Sequence, residues 1–490
     1  MLFDSVRRFL ALGGGSLVAL HPASATPPPI PLEDRTPLQL EATRQFAASA
    51  GLSITDNHHT LSRIQRPPGH LRTVDALLRQ QKNLQEASPY PTQGDDNDVD
   101  IPEGIAGLRA GLNQVEYLVR AEVGGQEFLV IPDTGSSDTW VAREGFECLD
   151  QFGRRPAADR SSCGFGPLYH GGFPGGKATE IDGRGDEVDV QMHISYLSGD
   201  FLNGPMGYAD VTVARVTVPR QQISLIDVAS FDGDGVSSGI LGLGLRGLTS
   251  GFRGPKLSDE RAPYAPFIET MGNGSGSGGR EGGVADPVFS FAMSRDESRS
   301  YIAFGGVPPV QTGEYAVVPI QKVRSSGSGS GKNDTRTDYF FYDITVDAIR
   351  WSAPSSDSSP ANTASETAEN LPNMLVDSGT TINLFPAEVA AAINGAFRPP
   401  GARHSDGMAW TVPCDAEPPA LEVVVGGRAM RTDPRSMILP ETEYKGRCLS
   451  GIGTGHSGAF ILGDTFMQEL VVVFDVSEKM EMKFAMRTGA

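Results

Sequence analysis

Two short segments of this 490-residue chain share a pattern that could carry acid–base chemistry. Val130–Ser137 reads VIPDTGSS and Leu375–Thr381 reads LVDSGTT, so each has apolar residues, then Asp, a hydroxyl residue, Gly and two more hydroxyl residues. An apolar-apolar-Gly element comes after each segment further along the chain, as Ile240–Gly242 and as Ile461–Gly463. Because the whole pattern is repeated, it indicates a duplicated unit in which each copy supplies one Asp.

Asp133 and Asp377 are therefore the candidate catalytic pair. Hydrolysis of an amide without a metal requires a base that deprotonates the attacking water and an acid that protonates the leaving nitrogen. Two carboxyl groups that share one proton can do both, because like charges a few Å apart do not both ionise easily. The acids need to meet only in space, so their separation in sequence is no obstacle.

Six neighbouring residues are candidates for supporting these acids: Thr134, Gly135, Ser136, Ser378, Gly379 and Thr380. The glycines are expected to allow a tight turn and a close approach of substrate backbone. The hydroxyl directly after each Asp could brace one loop against the other. The hydroxyl three positions after each Asp could donate to that carboxylate and fix its orientation.

The elements that must position these residues are predicted to be short strands. The chain has 59 Gly and 35 Pro, and turn clusters separate its β-type runs. These runs are Tyr117–Ala121, Glu127–Ile131, Glu187–Ser195, Val211–Val218, Gln222–Val228, Tyr301–Phe304, Tyr339–Ile349, Leu421–Val425 and Val471–Asp475. The clearest helical pattern is Pro386–Phe397, so the sequence predicts an all-β fold.

The N-terminal region differs in composition from the rest of the chain. Residues 1–25 have a basic start, an apolar stretch over Phe9–Leu20 and a small-residue site at Ala23–Ala25, which predicts a secretory signal peptide. Residues 26–110 are interpreted as a propeptide and linker, with a helix around Leu71–Glu86; a small independent domain is the alternative. The apolar stretch is too short to span a bilayer, and no membrane anchor is evident at the C-terminus.

The net charge and the cysteine content indicate which partners, which redox compartment and which cofactors are expected. The formal net charge of −19 argues against nucleic acid and acidic membranes as partners. The four cysteines fit disulfides formed in an oxidising compartment, with three pairings open and free buried thiols as the alternative. There is no CxxC and no pair of histidines at ligand spacing, so no metal and no cofactor are expected.

Three stretches rich in Gly, Ser or Thr are predicted to be exposed insertions: Gly272–Gly283, Ser325–Thr337 and Ser352–Glu369. Asn273 and Asn333 begin N-glycosylation sequons inside two of them. In a secreted chain, both asparagines are candidate glycan acceptors.

From about Tyr117 to its C-terminus the chain resembles the pepsin-like aspartic proteases, and most closely their fungal secreted members. The motifs that carry the resemblance are DTGSSDTW at Asp133–Trp140, Ile194–Gly204, Gly239–Gly244, Phe304–Gly306, Tyr342–Val346, DSGTT at Asp377–Thr381 and ILGD at Ile461–Asp464. The resemblance implies a bilobal fold with a cleft between two β lobes, 111–307 and 308–490. Asp133 and Asp377 would meet at the base of that cleft.

The resemblance also implies roles for residues around the cleft. Tyr196 matches the tyrosine of a hairpin flap that closes over substrate, and Trp140 matches its hydrogen-bond partner. Leu197 departs from the glycine that many relatives have after this tyrosine, which leaves the shape of the flap open. The family places disulfides at positions matching Cys148–Cys163 and Cys414–Cys448.

The function implied is an aspartic endopeptidase that cleaves polypeptides at acidic pH and is made as a zymogen. A monomer is expected, either secreted or delivered to a vacuole. The rival hypothesis is a catalytically silent pair of lobes that binds protein or carbohydrate, but such relatives usually lose an Asp or a motif Gly. A serine hydrolase is disfavoured, because GVSSG at Gly235–Gly239 does not open a helix and no histidine is placed to serve it.

Overall fold

The structure is a computed structural model that describes residues 37–65, 115–149, 163–196, 200–272, 287–326, 335–354, 365–404, 407–444, 446–455 and 459–488. The predicted signal peptide, the helix predicted around Leu71–Glu86 and the asparagines of both glycosylation sequons lie outside these ranges. The four α-helices of the described residues are α1 (Pro37–Ser49), α2 (Phe267–Gly272), α3 (Ala387–Gly395) and α4 (Asp464–Met467), and the segments Arg246–Leu248, Glu297–Arg299 and Pro434–Met437 form 3₁₀ helices.

The remaining regular elements are strands. The first group comprises β1 (His58–Thr60), β2 (Ser62–Gln65), β3 (Val115–Val123), β4 (Gln126–Asp133), β5 (Trp140–Cys148), β6 (Thr179–Ile181), β7 (Glu187–Ser195), β8 (Phe201–Val213), β9 (Val216–Ser230), β10 (Gly239–Gly242), β11 (Gly251–Arg253), β12 (Val288–Ala292), β13 (Tyr301–Phe304), β14 (Ala316–Pro319), β15 (Val323–Ser326) and β16 (Thr335–Asp338). The second comprises β17 (Asp343–Ile344), β18 (Ala348–Ser352), β19 (Glu366–Ala368), β20 (Met374–Val376), β21 (Asn383–Phe385), β22 (Ala402–Arg403), β23 (Trp410–Pro413), β24 (Ala420–Val425), β25 (Arg428–Arg431), β26 (Ile438–Tyr444), β27 (Arg447–Ser450), β28 (Ile452–Thr454), β29 (Ile461–Leu462), β30 (Leu470–Asp475) and β31 (Glu481–Met486).

These strands form two β lobes joined by a shared sheet, which confirms the all-β bilobal prediction. A ten-stranded sheet in the first half runs β11-β7-β8-β9-β5-β10-β4-β3-β2, with β6 pairing β7. The second half contains the sheets β17-β20-β29-β21-β28, β19-β18-β24-β25 and β22-β23-β27-β26. A six-stranded sheet, β1-β13-β12-β30-β31-β14, takes strands from both halves and therefore ties them together.

Most of the predicted strands are confirmed, but two of them are wrong in extent. The predicted run Val211–Val218 crosses a hairpin turn, because β8 ends at Val213 and β9 begins at Val216. Ala214 and Arg215 between them have φ of 50° and 67°, the left-handed backbone that tight hairpin turns require. Tyr339–Ile349 holds only the short β17 and the start of β18. Apolar composition alone did not reveal these breaks.

The predicted helix and the predicted insertions differ from the structure in their boundaries. The helix predicted over Pro386–Phe397 is confirmed as the shorter α3, with Pro386 directly before its first residue, where a missing N–H costs nothing. The ends of the predicted insertion Ser325–Thr337 are strands, since β15 and β16 pair with each other. Likewise β19, inside Ser352–Glu369, pairs with β18.

Residues 37–65 contribute strands and buried side chains to the fold. β1 extends the six-stranded sheet beside β13, and β2 extends the ten-stranded sheet beside β3. Ala47, Leu52 and Leu61 are buried, and the first two pack with Val471 and Val473 of the six-stranded sheet. The strand propensity of this segment was hidden by its short length and polar composition.

A buried carboxyl in the first lobe should make folding stability depend on pH. Asp234 is 2% exposed, and its Oδ1 accepts hydrogen bonds from the backbone of Val236 and Ser237, both at 2.6 Å. Burial, and then the charge of Glu116, raise its pKa from 3.8 to about 6. The folded protein therefore holds this proton more tightly than the unfolded chain does, so stability is full below pH 3.8 and is lost as pH rises through 6.

Replacing Asp234 with Asn should remove that dependence while an amide oxygen still accepts from Val236 and Ser237. Relative to wild type, the free energy of unfolding should rise by about 2–3 kcal/mol above pH 6 and change little below pH 3.8. Urea unfolding at both pH values measures this, with the exposed Asp186→Asn as the matched control. An equal pH slope in wild type and Asp234→Asn would contradict the assignment.

Candidate active site

Each of the two Asp loops begins at the end of a buried strand. β4 ends at Asp133, and β10 runs parallel to it, with Gly242 opposite Asp133. β20 ends at Val376, and β29 runs parallel to it, with Leu462 opposite Val376. The apolar-apolar-Gly elements recognised in the sequence are thus the parallel neighbours of the two Asp strands.

The glycine that ends each of these elements lies against the loop that comes after the Asp. A Cβ on Gly242 would lie 2.4 Å from the carbonyl carbon of Ser137, and one on Gly463 would lie 2.3 Å from the carbonyl oxygen of Thr380. No side chain fits in either place, because real Cβ atoms essentially never approach so closely. This contact explains why the companion motif ends in Gly in both copies.

The two loops are joined by reciprocal hydrogen bonds. The Thr134 amide donates to Ser378 Oγ at 3.1 Å, and the Ser378 amide donates to Thr134 Oγ1 at 3.0 Å. Each hydroxyl then donates onward across the interface, Thr134 Oγ1 to the Val376 carbonyl at 2.9 Å and Ser378 Oγ to the Pro132 carbonyl at 2.7 Å. The bracing predicted for these hydroxyls is therefore present in the structure.

Equivalent donors hold the two carboxylates. Asp133 Oδ1 accepts from the Gly135 amide at 2.8 Å, and Asp133 Oδ2 accepts from Ser136 Oγ. Asp377 Oδ1 accepts from the Gly379 amide at 2.8 Å, and its Oδ2 accepts from Thr380 Oγ1 at 2.5 Å. Both aspartates are 0% exposed, so these donors largely determine how the carboxyl groups are oriented.

The two carboxyl groups meet each other in this interface. A hydrogen bond links them, and burial followed by the charge of Asp133 raises the pKa of Asp377 well above its ordinary value. The donated hydrogen bonds from Thr380 and Gly379 oppose that rise. The arrangement is that of two acids which share a proton, because ionising both would place like charges together in a buried site.

The motif glycines have a role in addition to those expected of them. Neither Gly135 nor Gly379 has a positive φ, so a tight left-handed turn is not the reason for glycine here. A Cβ on Gly135 would lie 2.6 Å from Asp377 Oδ1, and one on Gly379 would lie 2.4 Å from Asp133 Oδ1. Each glycine therefore leaves room for the carboxyl group of the opposite loop.

The predicted flap residues contact each other. β7 and β8 form the hairpin, and at its end the Tyr196 amide donates to the Asp200 carbonyl at 2.9 Å. Trp140 Nε1 donates to the Tyr196 hydroxyl at 2.9 Å, and both side chains are buried. Leu197 lies outside the described residues. Closure of this hairpin over a substrate stays a prediction.

Two further buried carboxyls near the site were not identified from the sequence. Asp138 accepts hydrogen bonds from the Ser250 amide at 2.9 Å and from the Tyr264 hydroxyl at 2.7 Å, and burial raises its pKa. Asp464 begins α4, and burial, then the charge of Asp377, raises its pKa well above the ordinary value. The motifs DTGSSDTW and ILGD include these two residues, but only their partners in the folded chain reveal that they are buried.

The four cysteines form two disulfides. Cys148 is bonded to Cys163, with a Cα–Cα distance of 5.9 Å, and Cys414 is bonded to Cys448, with a Cα–Cα distance of 5.0 Å. Among the described residues, no group of three or more His, Cys, Asp or Glu side chains is arranged to hold a metal. Within the same part of the chain, no helix has both the length and the apolar character needed to cross a membrane.

Comparison with known proteins agrees with this geometry. The sequence profile of the eukaryotic aspartyl proteases matches residues 116–486. A probable aspartic-type endopeptidase of Aspergillus fumigatus is 35% identical over 398 residues, 79% of this chain and 82% of that protein. Rhizopuspepsin of Rhizopus chinensis is 26% identical over 74% of this chain and 76% of its own length, and gastricsin of Rattus norvegicus is 25% identical over 72% and 75%. This chain therefore belongs to the eukaryotic aspartyl protease family and is an aspartic-type peptidase.

Proposed function

We propose that the protein hydrolyses peptide bonds within polypeptides through a water molecule activated by Asp133 and Asp377, and that it does so at acidic pH. The observation that carries this proposal is the hydrogen-bonded pair of buried carboxyls held by two equivalent loops. Burying two acids together is unfavourable, and a binding role for the two lobes gives no reason for this cost, whereas acid–base catalysis does.

In the proposed mechanism the ionised member of the pair takes a proton from water as the oxygen attacks the peptide carbonyl. The protonated member donates a hydrogen bond to the carbonyl oxygen, and a proton is then delivered to the leaving nitrogen. The donors to Asp133 and Asp377, from Gly135, Ser136, Gly379 and Thr380, hold both carboxyls in place before substrate binds.

The raised pKa of Asp377 supports an acidic working range. Because burial and Asp133 favour its protonated form, the pair keeps one proton at a pH where an isolated carboxyl would have lost it. As pH rises further that proton leaves, both carboxyls become charged, and the acid required by the mechanism is lost. Activity should therefore decline from acidic toward neutral pH.

We further propose that the chain is secreted as a zymogen, with residues 1–25 as signal peptide and 26–110 as propeptide and linker. Two features of the described residues support a propeptide that is bound to the lobes before activation. Residues 58–65 are built into both major sheets through β1 and β2. Arg63 lies in β2 opposite Tyr117, and its charge opposes the rise in the pKa of Asp464 behind the catalytic pair.

One experiment tests both parts of the proposal. Acid incubation of the full-length protein should yield a chain that begins near residue 110, seen by mass spectrometry, together with cleavage of denatured protein. A statine-type peptide should block this cleavage. Cleavage of the substrate by a chain that stays full-length would contradict the zymogen, and no cleavage at any acidic pH would contradict the peptidase. If processing occurs only after another protease is added, self-activation is wrong but the activity stands.

A further inference from the structure

Four aromatic rings form a continuous cluster that reaches the flap tyrosine. Phe165 stacks on Phe231 with ring centroids 5.1 Å apart and planes at 22°. The Trp140 ring meets both edge-on, at 5.9 Å from Phe165 and 5.5 Å from Phe231. Phe146 packs edge-on against Phe165 at 5.2 Å. Since Trp140 donates to the Tyr196 hydroxyl, the cluster joins the flap to the wall of the first lobe.

Backbone hydrogen bonds hold the segment that carries Phe165. The Gly166 amide donates to the Ser237 carbonyl at 2.8 Å, and the Gly235 amide donates to the Gly164 carbonyl at 2.6 Å. A Cβ on Gly166 would lie 2.0 Å from the carbonyl oxygen of Val236, so the two segments touch at this glycine. The ring of Phe165 is thereby presented from a rigid support.

A disulfide and a link to the flap fix the two ends of this support. The Cys148–Cys163 bond ties the start of the segment to the end of β5. On the other side, the Asp232 amide, next to Phe231, donates to Asp200 Oδ1 at 3.1 Å, and Asp200 closes the end of the flap hairpin. The ring pair therefore keeps a fixed position relative to the flap.

Phe165 is the member of this cluster that a ligand can touch. The other rings are buried, with exposed fractions of 0% for Trp140, 3% for Phe146, and 4% for both Tyr196 and Phe231. Phe165 packs against them but remains partly exposed. A partly exposed ring on an ordered aromatic base favours contact with a large apolar group, because little conformational entropy is lost on binding.

We propose that Phe165 is a specificity-determining residue, which packs against one large apolar or aromatic side chain of the peptide substrate. The inference rests on the proposed function and extends it, since it assigns to the disulfide-bound segment a part in substrate choice. The contact is between apolar surfaces, and it adds to binding without taking part in bond cleavage. A substrate with a small side chain at that position leaves part of the Phe165 ring in water.

The test uses paired peptides that differ by Phe or Ala at a single position on either side of the cut. For each position, the ratio of kcat/KM for the Phe peptide to that for the Ala peptide is measured with wild type and with Phe165→Ala. The ratio does not depend on how much of the enzyme is folded, so a loss of stability alone cannot change it. We expect the ratio to fall about tenfold at one position and to stay constant at the others.

Matched variants keep the result interpretable. Phe165→Tyr, which retains the ring, should preserve the ratio. Phe165→Leu should lower the ratio in part, and this variant can be measured even if Phe165→Ala does not fold. Phe128 stacks on Tyr169 in a different core cluster at 6.0 Å, so Phe128→Leu is the control and should leave every ratio unchanged. Ratios that are equal in wild type, Phe165→Ala and Phe165→Leu at all positions overturn the inference. Cleavage of no peptide by the wild type overturns the proposed function itself.

Discussion

Replacing either Asp133 or Asp377 with Asn is expected to lower kcat/KM for peptide cleavage by about three orders of magnitude. An amide can neither accept the proton of the attacking water nor donate an acidic proton, so a single substitution removes one of the two roles. The buried amide still accepts hydrogen bonds from the loop that holds it, so the fold should persist. Kinetics at acidic pH with the processed protein measure the effect.

Two controls distinguish a loss of catalytic activity from a loss of folded protein. Asp186 is a surface residue, and Asp186→Asn makes the same chemical change outside the site, so it should keep wild-type kinetics. Thermal unfolding at near-neutral pH should show the Asp133→Asn and Asp377→Asn variants at least as stable as wild type, because each removes a charge repulsion from a buried pair. Wild-type activity in either of the two variants would rule out the shared-proton mechanism.

Introducing a single methyl group at Gly379 or Gly135 is expected to cost about 100-fold in kcat. The new Cβ of Gly379→Ala would overlap Asp133 Oδ1, and that of Gly135→Ala would overlap Asp377 Oδ1, so each carboxyl must move away from its partner. Neither Asp can turn aside freely, since its oxygens are bound by donors of its own loop. Single-turnover kinetics separate this effect from substrate binding.

The matched control for this experiment is a glycine at which an added methyl group contacts no other residue. Gly183 is exposed, a Cβ there would have no neighbour within 4 Å, and its φ is not in the left-handed region. Gly183→Ala should therefore leave kcat and stability unchanged. Overpacking at Gly379 or Gly135 should also lower the free energy of unfolding by about 1–3 kcal/mol. A folded Gly379→Ala enzyme with wild-type kcat would show that the carboxyl positions are less constrained than the geometry indicates.

Several residues of the site could be predicted because the identity of their neighbours in the sequence is sufficient to recognise them. The order of apolar residue, Asp, hydroxyl and Gly is repeated, and it led directly to Asp133, Asp377 and their hydroxyl neighbours. Strands β7 and β30 were located correctly. In β7 apolar residues alternate with polar ones, and β30 is a continuous apolar run, and both patterns predict a strand. The weaker β1 and β2 show neither pattern and were missed.

Other features could not be predicted, because they depend on residues that meet only in the folded chain. Burial of Asp138 and Asp464 results from packing by distant elements, so nothing in the adjacent residues signals their raised pKa. Phe165 is one of 23 phenylalanines, and its position on Phe231 depends on backbone contacts between two separate segments. The extra turn at Ala214 and Arg215 was hidden because neither residue is typical of such turns.

The amino-acid sequence alone was sufficient to identify the reactive groups of this protein: two carboxyl groups, each with nearby hydroxyl donors, on duplicated loops in a β-rich chain. A short stretch of sequence is sufficient for this identification, because each donor lies within three residues of the Asp to which it donates. It is the folded chain that shows that the two acids share a site and why Gly135 and Gly379 must lack a side chain. That reason is a contact across the two halves of the chain, where each glycine leaves space for the carboxyl group of the other loop.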